Sequence, residues 1–366
     1  MKICINALNL RNHLGGIGWY CYYLVKYLKK HDPTLHITIL THKKISPQFH
    51  PLKEYATIKE MELSHVWLKV FFLQAVLPFF LKNRFDVIHS IGNIGLLWCP
   101  IPQIITIHDT YEKVCQQRFN FFKRVLMSIM ISISGKRAAG IIAVSQNTFS
   151  DVANFYPHLK SKMTVIYSGN KFTIDKKGDY KPDNQFLFVG TIEPGKNLST
   201  VVKALALFNR GPHKTMLKVI GARGWKQSHI TQLIDSLGVT DSVIFCGYVS
   251  DEQLKKEYQS SIALICASFY EGFGLPVIEA FACGCPVIAA NNSALTEAGS
   301  DCALYFDTEN ERDLADSMIR LSSNPEGVKH KILAGFTHAS RFRWDETARQ
   351  TYERYKACIG NNYLLS

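Results

Sequence analysis

The sequence predicts an α/β protein built of two separate doubly wound domains. Three observations carry that prediction: the length, an alternation of short apolar runs with helical patterns, and one polar, aperiodic stretch near the middle. At about 150 residues per domain, the 366 residues make two domains. A hydrophobic content of 47% with 20% charged residues is that of a chain with a buried core, so disorder, collagen and coiled coil are set aside as whole-chain descriptions. Strands alternating with helices fold as parallel sheets covered by helices.

Taken in order, Lys2–Ala7 reads as the first strand and is followed by a loop ending in Gly15-Gly16-Ile17-Gly18. Ile17, Tyr20, Cys21, Leu24 and Leu28 then recur at helical spacing, so a helix starts near Gly16 or Gly18. Val66, Val70, Leu73 and Leu77 make the buried stripe of another helix. Leu35–Leu40, Asp86–His89, Gln103–Ile107 and Ile141–Val144 are further strands, and Ser145 is placed to cap a helix over Gln146–Phe155. From Ser168 to Gln185 the texture changes to polar residues without periodicity, the best linker in the chain. A second alternation follows: strand Phe186–Val189, helix Leu198–Phe208, and strands Met216–Ile220 and Val243–Cys246. Ser250 and Gln253 form a capping box opening a helix to Gln259. Strand Ile262–Cys266, helix Pro276–Cys283 and strands Pro286–Ala289 and Ala303–Phe306 complete the series, and Trp344, Ala348, Tyr352, Tyr355 and Ile359 mark a last helix. The reading is two Rossmann-like domains, 1–170 and 171–343.

The net charge of +12 is unevenly spread. Residues 1–170 hold 20 Lys and Arg against 8 Asp and Glu, which accounts for all of it, and residues 171–366 are neutral. A one-sided basic field attracts an anionic partner: nucleic acid, an anionic membrane surface or a charged substrate. The longest apolar stretch, Val66–Leu81, spans 16 residues and is interrupted by Lys69, Gln74 and Pro78, short of the roughly 20 needed to cross a bilayer. No signal peptide follows Met1, and the ten cysteines sit mostly in apolar runs, as reduced buried hydrophobes do. Cys283 and Cys285 form C-x-C without a second cluster, so no zinc site is expected.

The most specific segment is Ala267-Ser268-Phe269-Tyr270-Glu271-Gly272-Phe273-Gly274-Leu275-Pro276-Val277-Ile278-Glu279-Ala280. It lies between a buried strand and a helix, where ligands bind in open α/β sheets. Gly272 and Gly274 allow close backbone approach, Pro276 suits a first helical turn, and amides at that helix start would face an anion. Glu271 and Glu279 can accept hydrogen bonds from hydroxyls on the same side. Glu271-x7-Glu279 in the string E-G-F-G-L-P-V-I-E-A-F-A-C-G-C-P-V-I-A resembles the donor-site signature of the retaining glycosyltransferases of family four. Four further segments resemble that family's motifs in the same order: Gly15-Gly16-Ile17-Gly18, Thr106-Ile107-His108-Asp109, Ile141-Ile142-Ala143-Val144-Ser145, and Phe188-Val189-Gly190-Thr191-Ile192-Glu193-Pro194-Gly195-Lys196-Asn197.

The resemblance implies the GT-B fold, two Rossmann-like domains facing across a cleft, with a nucleotide-diphosphate sugar held by the second domain and the last helix, 344–366, crossing back to the first. It implies that Lys196 pairs with the donor diphosphate, Glu279 with the ribose and Glu271 with the sugar. His108 would lie near the reacting centre, so His108, Lys196 and Glu271 are the catalytic candidates. Gly16, Gly18, Thr191, Tyr248, Val249, Gly272, Phe273, Gly274 and Leu275 complete the donor site. The family arginine that accompanies the lysine is replaced here by Thr191 and Gly195, and Arg223 is the candidate substitute. Asp109 either orients His108 or caps the next segment. No D-x-D occurs, which agrees with a metal-free reaction and no cofactor.

The loop variant Gly190-Thr191-Ile192-Glu193-Pro194 resembles that of bacterial mannosyl enzymes, so GDP-mannose is the donor expected, with retention of configuration. A lipid-linked oligosaccharide is the acceptor expected, in O-antigen or capsule synthesis, with the protein cytoplasmic and peripheral at the inner membrane face. Arg118-Phe119-Asn120-Phe121-Phe122-Lys123-Arg124 is read equally as an interfacial or an ordinary buried helix. An NAD-dependent oxidoreductase is disfavoured because the first glycine loop lacks G-x-G-x-x-G spacing and no acidic residue ends a second strand. A nucleic-acid-binding protein would explain the basic half, but no recognition motif appears.

Overall fold

Aliphatic runs hidden on both faces become parallel strands, and the computed structural model arranges them in two sheets. It describes residues 1–8, 10, 15–43, 47–62, 66–115, 120–174, 182–212, 214–222, 224 and 227–362. One unit comprises Met1–Gly169 with Arg343–Ser366, the other Asn170–Phe342.

The first unit contains β1 (Lys2–Asn6), α1 (Gly16–His31), β2 (His36–His42) and β3 (Thr57–Met61), then α2 (Val66–Phe71), a π-helical turn over Phe72–Val76 and α3 (Leu77–Leu81). It continues with β4 (Val87–Ser90), β5 (Gln103–Ile107), α4 (Tyr111–Val114), α5 (Phe121–Arg137), β6 (Gly140–Ala143), α6 (Gln146–Phe155) and β7 (Met163–Val165). The parallel sheet runs β3-β2-β1-β4-β5-β6-β7. The direction of strand succession reverses between β1 and β4. The sheet is buried by Cys4, Ile88, Leu77 and Leu81 in one cluster and by Ile105, Ile107, Ile131 and Leu159 in another.

The second unit contains β8 (Gln185–Val189), α7 (Leu198–Phe208), β9 (Met216–Ile220), α8 (Gln227–Ser236), β10 (Val243–Gly247), α9 (Asp251–Ser260) and β11 (Ala263–Cys266). Then come α10 (Leu275–Ala282), β12 (Val287–Ala290), α11 (Ser293–Gly299), β13 (Leu304–Phe306), α12 (Glu311–Ser323) and α13 (Pro325–Ala339). Its parallel sheet is β10-β9-β8-β11-β12-β13, with the reversal between β8 and β11. The last helix, α14 (Trp344–Asn362), lies on α1 in the first unit.

Several expectations need correction. Ser250 does accept from the Gln253 amide, but the Gln253 side chain bonds Glu257 instead of returning to the cap, so the capping box is half made. In the stripe read over 66–81, Leu77 is fully buried while Val70 and Leu73 are only partly so, because the π turn rotates the helix off a 3.6 repeat. Strands β3 and β7, both short and partly exposed, carry no apolar run that the sequence displays. All ten cysteines are free thiols, seven of them buried.

Candidate functional site

Lys196 and Glu271 sit beyond the carboxyl ends of β8 and β11, the two strands flanking the reversal of the second sheet. An open α/β sheet forms its ligand crevice at such a point, because the following loops leave in opposite directions. Lys196 ends a turn over Pro194–Lys196, and Asn197 takes a left-handed conformation at φ 55°. Its side chain holds the bend: Oδ1 accepts from the Ser199 and Thr200 hydroxyls and Nδ2 donates to the Thr308 carbonyl. The Phe269 amide donates to the Gly195 carbonyl, tying the two loops together. Lys196 Nζ donates to Glu271 Oε1 at 2.5 Å, and Ser268 Oγ donates to the same oxygen at 2.7 Å. The Glu271 amide donates to Ser293 Oγ. Burial works against the Lys196 charge, but Glu271 outweighs it and holds the ammonium above its ordinary value.

Gly272, Phe273 and Gly274, next in the chain, are buried, with the Phe273 ring 5.5 Å from that of Phe342. Gly274 has φ 91° and directs the chain into α10, whose first residue is Leu275 and second is Pro276. A side chain at 274 would be strained and would press on Ala298 and Leu295. Gly221 also has to be glycine: at φ 146° its absent Cβ would lie 2.0 Å from the Gly190 carbonyl oxygen.

Glu279, one turn into α10, belongs to a different cluster. Tyr258 donates its hydroxyl to Oε2 at 3.2 Å, and Lys171 Nζ lies 3.7 Å from Oε1 and 2.6 Å from Asp251 Oδ1. The structure therefore joins Lys196 to Glu271 and gives Glu279 its own cation. Thr191 is exposed before the Lys196 turn, while Tyr248 (exposed) and Val249 follow β10. Arg223 lies outside the described residues.

In the first unit, His108 follows β5. Its Nε2 faces the Ile91 carbonyl at 2.9 Å, so that nitrogen carries the proton and Nδ1 keeps its lone pair. Its backbone amide donates to Asn93 Oδ1, and Asn93 Nδ2 donates to Asp109. Asp109 Oδ1 also accepts from the Tyr111 amide, the first of α4, whose N-cap residue is Thr110. Burial pushes the His108 imidazole down to about 4. The Tyr20 ring meets it edge-on at 4.9 Å. Behind it a buried chain runs from Tyr20 OH to Thr106 Oγ1 (3.2 Å), Thr106 Oγ1 to His89 Nε2 (2.7 Å), and His89 Nδ1 to the Tyr355 hydroxyl on α14 (2.7 Å). Gly16 opens α1 and Gly18 is buried in its first turn.

The residues missed in the sequence are Lys171, Tyr258, Ser268 and Ser293 in the second unit and Tyr20, His89, Thr106 and Tyr355 in the first. Ser268 and Thr106 stand inside quoted motifs but carry no assigned role there, and each of the eight gains its meaning from a partner 3 to 266 residues away. Among the described residues, no group of three His, Cys, Asp or Glu is arranged to hold a metal, and no helix is long and apolar enough to cross a membrane.

Residues 14–170 match the model of "Glycosyltransferase Family 4", and residues 170–337 match that of "Glycosyl transferases group 1". Together these run from residue 14 to residue 337 and take in every family motif quoted above, leaving only β1 and α14 wholly outside. The chain belongs to glycosyltransferase family four. Curated relatives of this glycosyltransferase include the O-antigen chain mannosyltransferase B of Escherichia coli, 33% identical over 46% of this chain and 45% of the relative. Another is the O-antigen chain mannosyltransferase RfbU of Salmonella typhimurium, 28% identical over 71% of this chain and 68% of that one. The chain thus spans less than half the length of the first. Among solved structures, the sucrose-phosphate synthase of Thermosynechococcus elongatus superposes with a TM-score of 0.77 at 19% identity, covering 98% of this chain and 99% of the other. Anabaena Alr3699/HepE with UDP-glucose gives 0.76 at 18%, covering 98% and 100%. At such identities the likeness establishes the fold, which is GT-B.

Proposed function

We propose that this glycosyltransferase moves a mannosyl group from GDP-mannose to a lipid-linked oligosaccharide, with retention of configuration and without a metal ion, in O-antigen or capsule synthesis. The observation that carries the reading is the Lys196–Glu271 pair at the reversal of the second sheet. Sugar transfer leaves a diphosphate gaining negative charge, and a fixed ammonium stabilises it most as the bond breaks. In the free protein Glu271 occupies that ammonium. Donor binding exchanges partners: the diphosphate takes Lys196 and the amides opening α10, and the released Glu271 accepts from sugar hydroxyls. The leaving diphosphate takes the acceptor proton on the same face. The names of the two O-antigen relatives support mannose; the UDP-glucose complex of a structural neighbour makes UDP-sugars the competing donors. The deciding experiment is turnover of GDP-, UDP- and dTDP-sugars with and without EDTA. GDP-mannose consumption that survives EDTA is expected, and turnover of a UDP-sugar alone would overturn the donor.

The acceptor side belongs to the basic unit, at the inner face of the cytoplasmic membrane. The α5 helix exposes Phe121, Phe122, Val125, Leu126, Ile129 and Ile133, with Lys123, Lys136 and Arg137 beside them. The neighbouring helix region exposes Leu68, Phe71 and Phe79, the last 5.5 Å from exposed Trp98. The Gln74 and Ser134 side chains both accept from the loop carrying Gly95 and Leu97, so both helical segments pack on that loop. An apolar helix face rimmed with cations suits an anionic bilayer. Binding to phosphatidylglycerol vesicles should fall as salt rises; indifference to both salt and lipid charge would sink this part.

A further inference from the structure

The second unit holds a buried cation that the exchange above leaves unused. Lys171 begins the unit one residue after Asn170, and its side chain is 8% exposed. Its ammonium lies between Asp251 Oδ1 at 2.6 Å and Glu279 Oε1 at 3.7 Å, and 5.0 Å from the centre of the Phe172 ring. Tyr258, fully buried, engages the other oxygen of Glu279. A carboxylate at this depth keeps its charge only with a cation or several donors at hand. Here one oxygen faces the cation and the other a phenol, which fixes the plane of the carboxylate.

We infer that Lys171 is a positioning residue for nucleoside recognition: its ammonium, seated between Asp251 and Glu279, fixes the Glu279 carboxylate as a charged acceptor for ribose hydroxyls. This rests on the reading of Glu279 as the ribose acceptor of the donor site. The titratable groups around Glu279 come from several elements. Lys171 enters from the unit's first segment, Tyr248 precedes α9, and Asp251, Lys255 and Tyr258 belong to α9. Cys283 and Cys285 follow α10 itself, and His338 on α13 faces Phe281. Among these described groups, Lys171 is the cation within ion-pairing distance of Glu279. Burial pushes the Glu279 carboxyl above its ordinary value, Lys171 and Tyr258 pull it back in part, and Asp251 raises it. Removing the ammonium leaves burial and Asp251 opposed by Tyr258 alone, so the carboxyl takes up a proton at a higher pH. A protonated acid presents a donor where a hydroxyl needs an acceptor.

The test is isothermal titration of the full chain with GDP, and with UDP in parallel, from pH 6 to pH 9. For whichever diphosphate the parent binds, Lys171→Met should bind roughly ten-fold more weakly at pH 6.5. Binding should recover toward pH 9, with the profile displaced upward by about 1–3 pH units. Lys171→Arg should keep the parental profile. A lysine of merely structural value would weaken binding equally at every pH, and that result would overturn the inference. Should the methionine variant fail to fold, Lys171→Gln carries the same displaced profile. Glu279→Gln cannot titrate, so its binding should be weak and flat with pH. Parental affinity in Glu279→Gln would overturn the ribose reading itself. Weakened Glu279→Gln beside an undisplaced Lys171→Met profile would overturn the role of Lys171 alone.

Discussion

His108 in the first unit is framed by a carbonyl, an amide side chain and an aromatic ring, and the chain behind it is built of two phenols, a threonine and a neutral imidazole. Lys196 and Glu279 in the second unit are held by opposite charges. The neutral frame fixes geometry: each hydroxyl has one proton and directional lone pairs, so the partners have few alternatives. The charged frame pairs each ion with a counter-ion, and the proposed reading has a diphosphate take the place of Glu271 on Lys196. One unit is organised to orient; the other, on that proposal, exchanges.

The largest effect should come from breaking the exchanging side. Lys196→Met removes the cation proposed for the leaving diphosphate, and kcat should fall roughly a hundred- to a thousand-fold while the fold persists. Near-parental turnover would end the comparison. Next is the orienting side. Thr106→Val takes the shared partner from His89 and Tyr20, both fully buried, and should cost about 2–4 kcal/mol in urea unfolding. A change within error would mean the chain carries no weight.

Acidity should separate the units. Burial pushes His89 down to about 3 and His108 to about 4, below their ordinary 6.5. Between those values and 6.5 the unfolded chain binds more protons, so this stability is complete above pH 6.5 and lost as pH falls. Lys171 and Lys196 are held above their ordinary 10.5, so their contribution is complete below 10.5 and lost as pH rises past the raised values. Hydrogen exchange at pH 5 should therefore loosen β4 and β5 before β8 and β11; the reverse order would count against the distinction. The smallest effect is expected from Tyr20→Phe, about 1 kcal/mol, because Thr106 still has His89.

Much of this was legible in the sequence where chemistry is local. The second sheet's strands follow from short aliphatic runs, and helices over Gln146–Phe155 and Leu198–Phe208 match their predicted bounds, Ser145 marking the start of the first. The Lys196 turn and the Glu271 loop lie in glycine strings that a sequence displays. Lys171 was hidden because it stands in a polar segment read as linker, and its partners are 80 and 108 residues away. Tyr20 reads only as part of an apolar stripe, since nothing in a helical repeat tells a buried phenyl from a phenol bonded across a sheet. The π turn at Phe72–Val76 left no local mark and altered which residues of its helix are covered.

The return of α14 to the first unit reverses the schedule of synthesis. Tyr355 closes the chain on His89, yet it is translated 266 residues later, and Trp344, at 5.3 Å, stacks on Tyr23, which long precedes it. The half translated first must therefore wait, its imidazole short of one hydroxyl, until the half translated second is complete. A nascent chain stalled before residue 343 would carry a finished second sheet beside an unfinished first one, and a premature stop there would injure the amino-terminal half most.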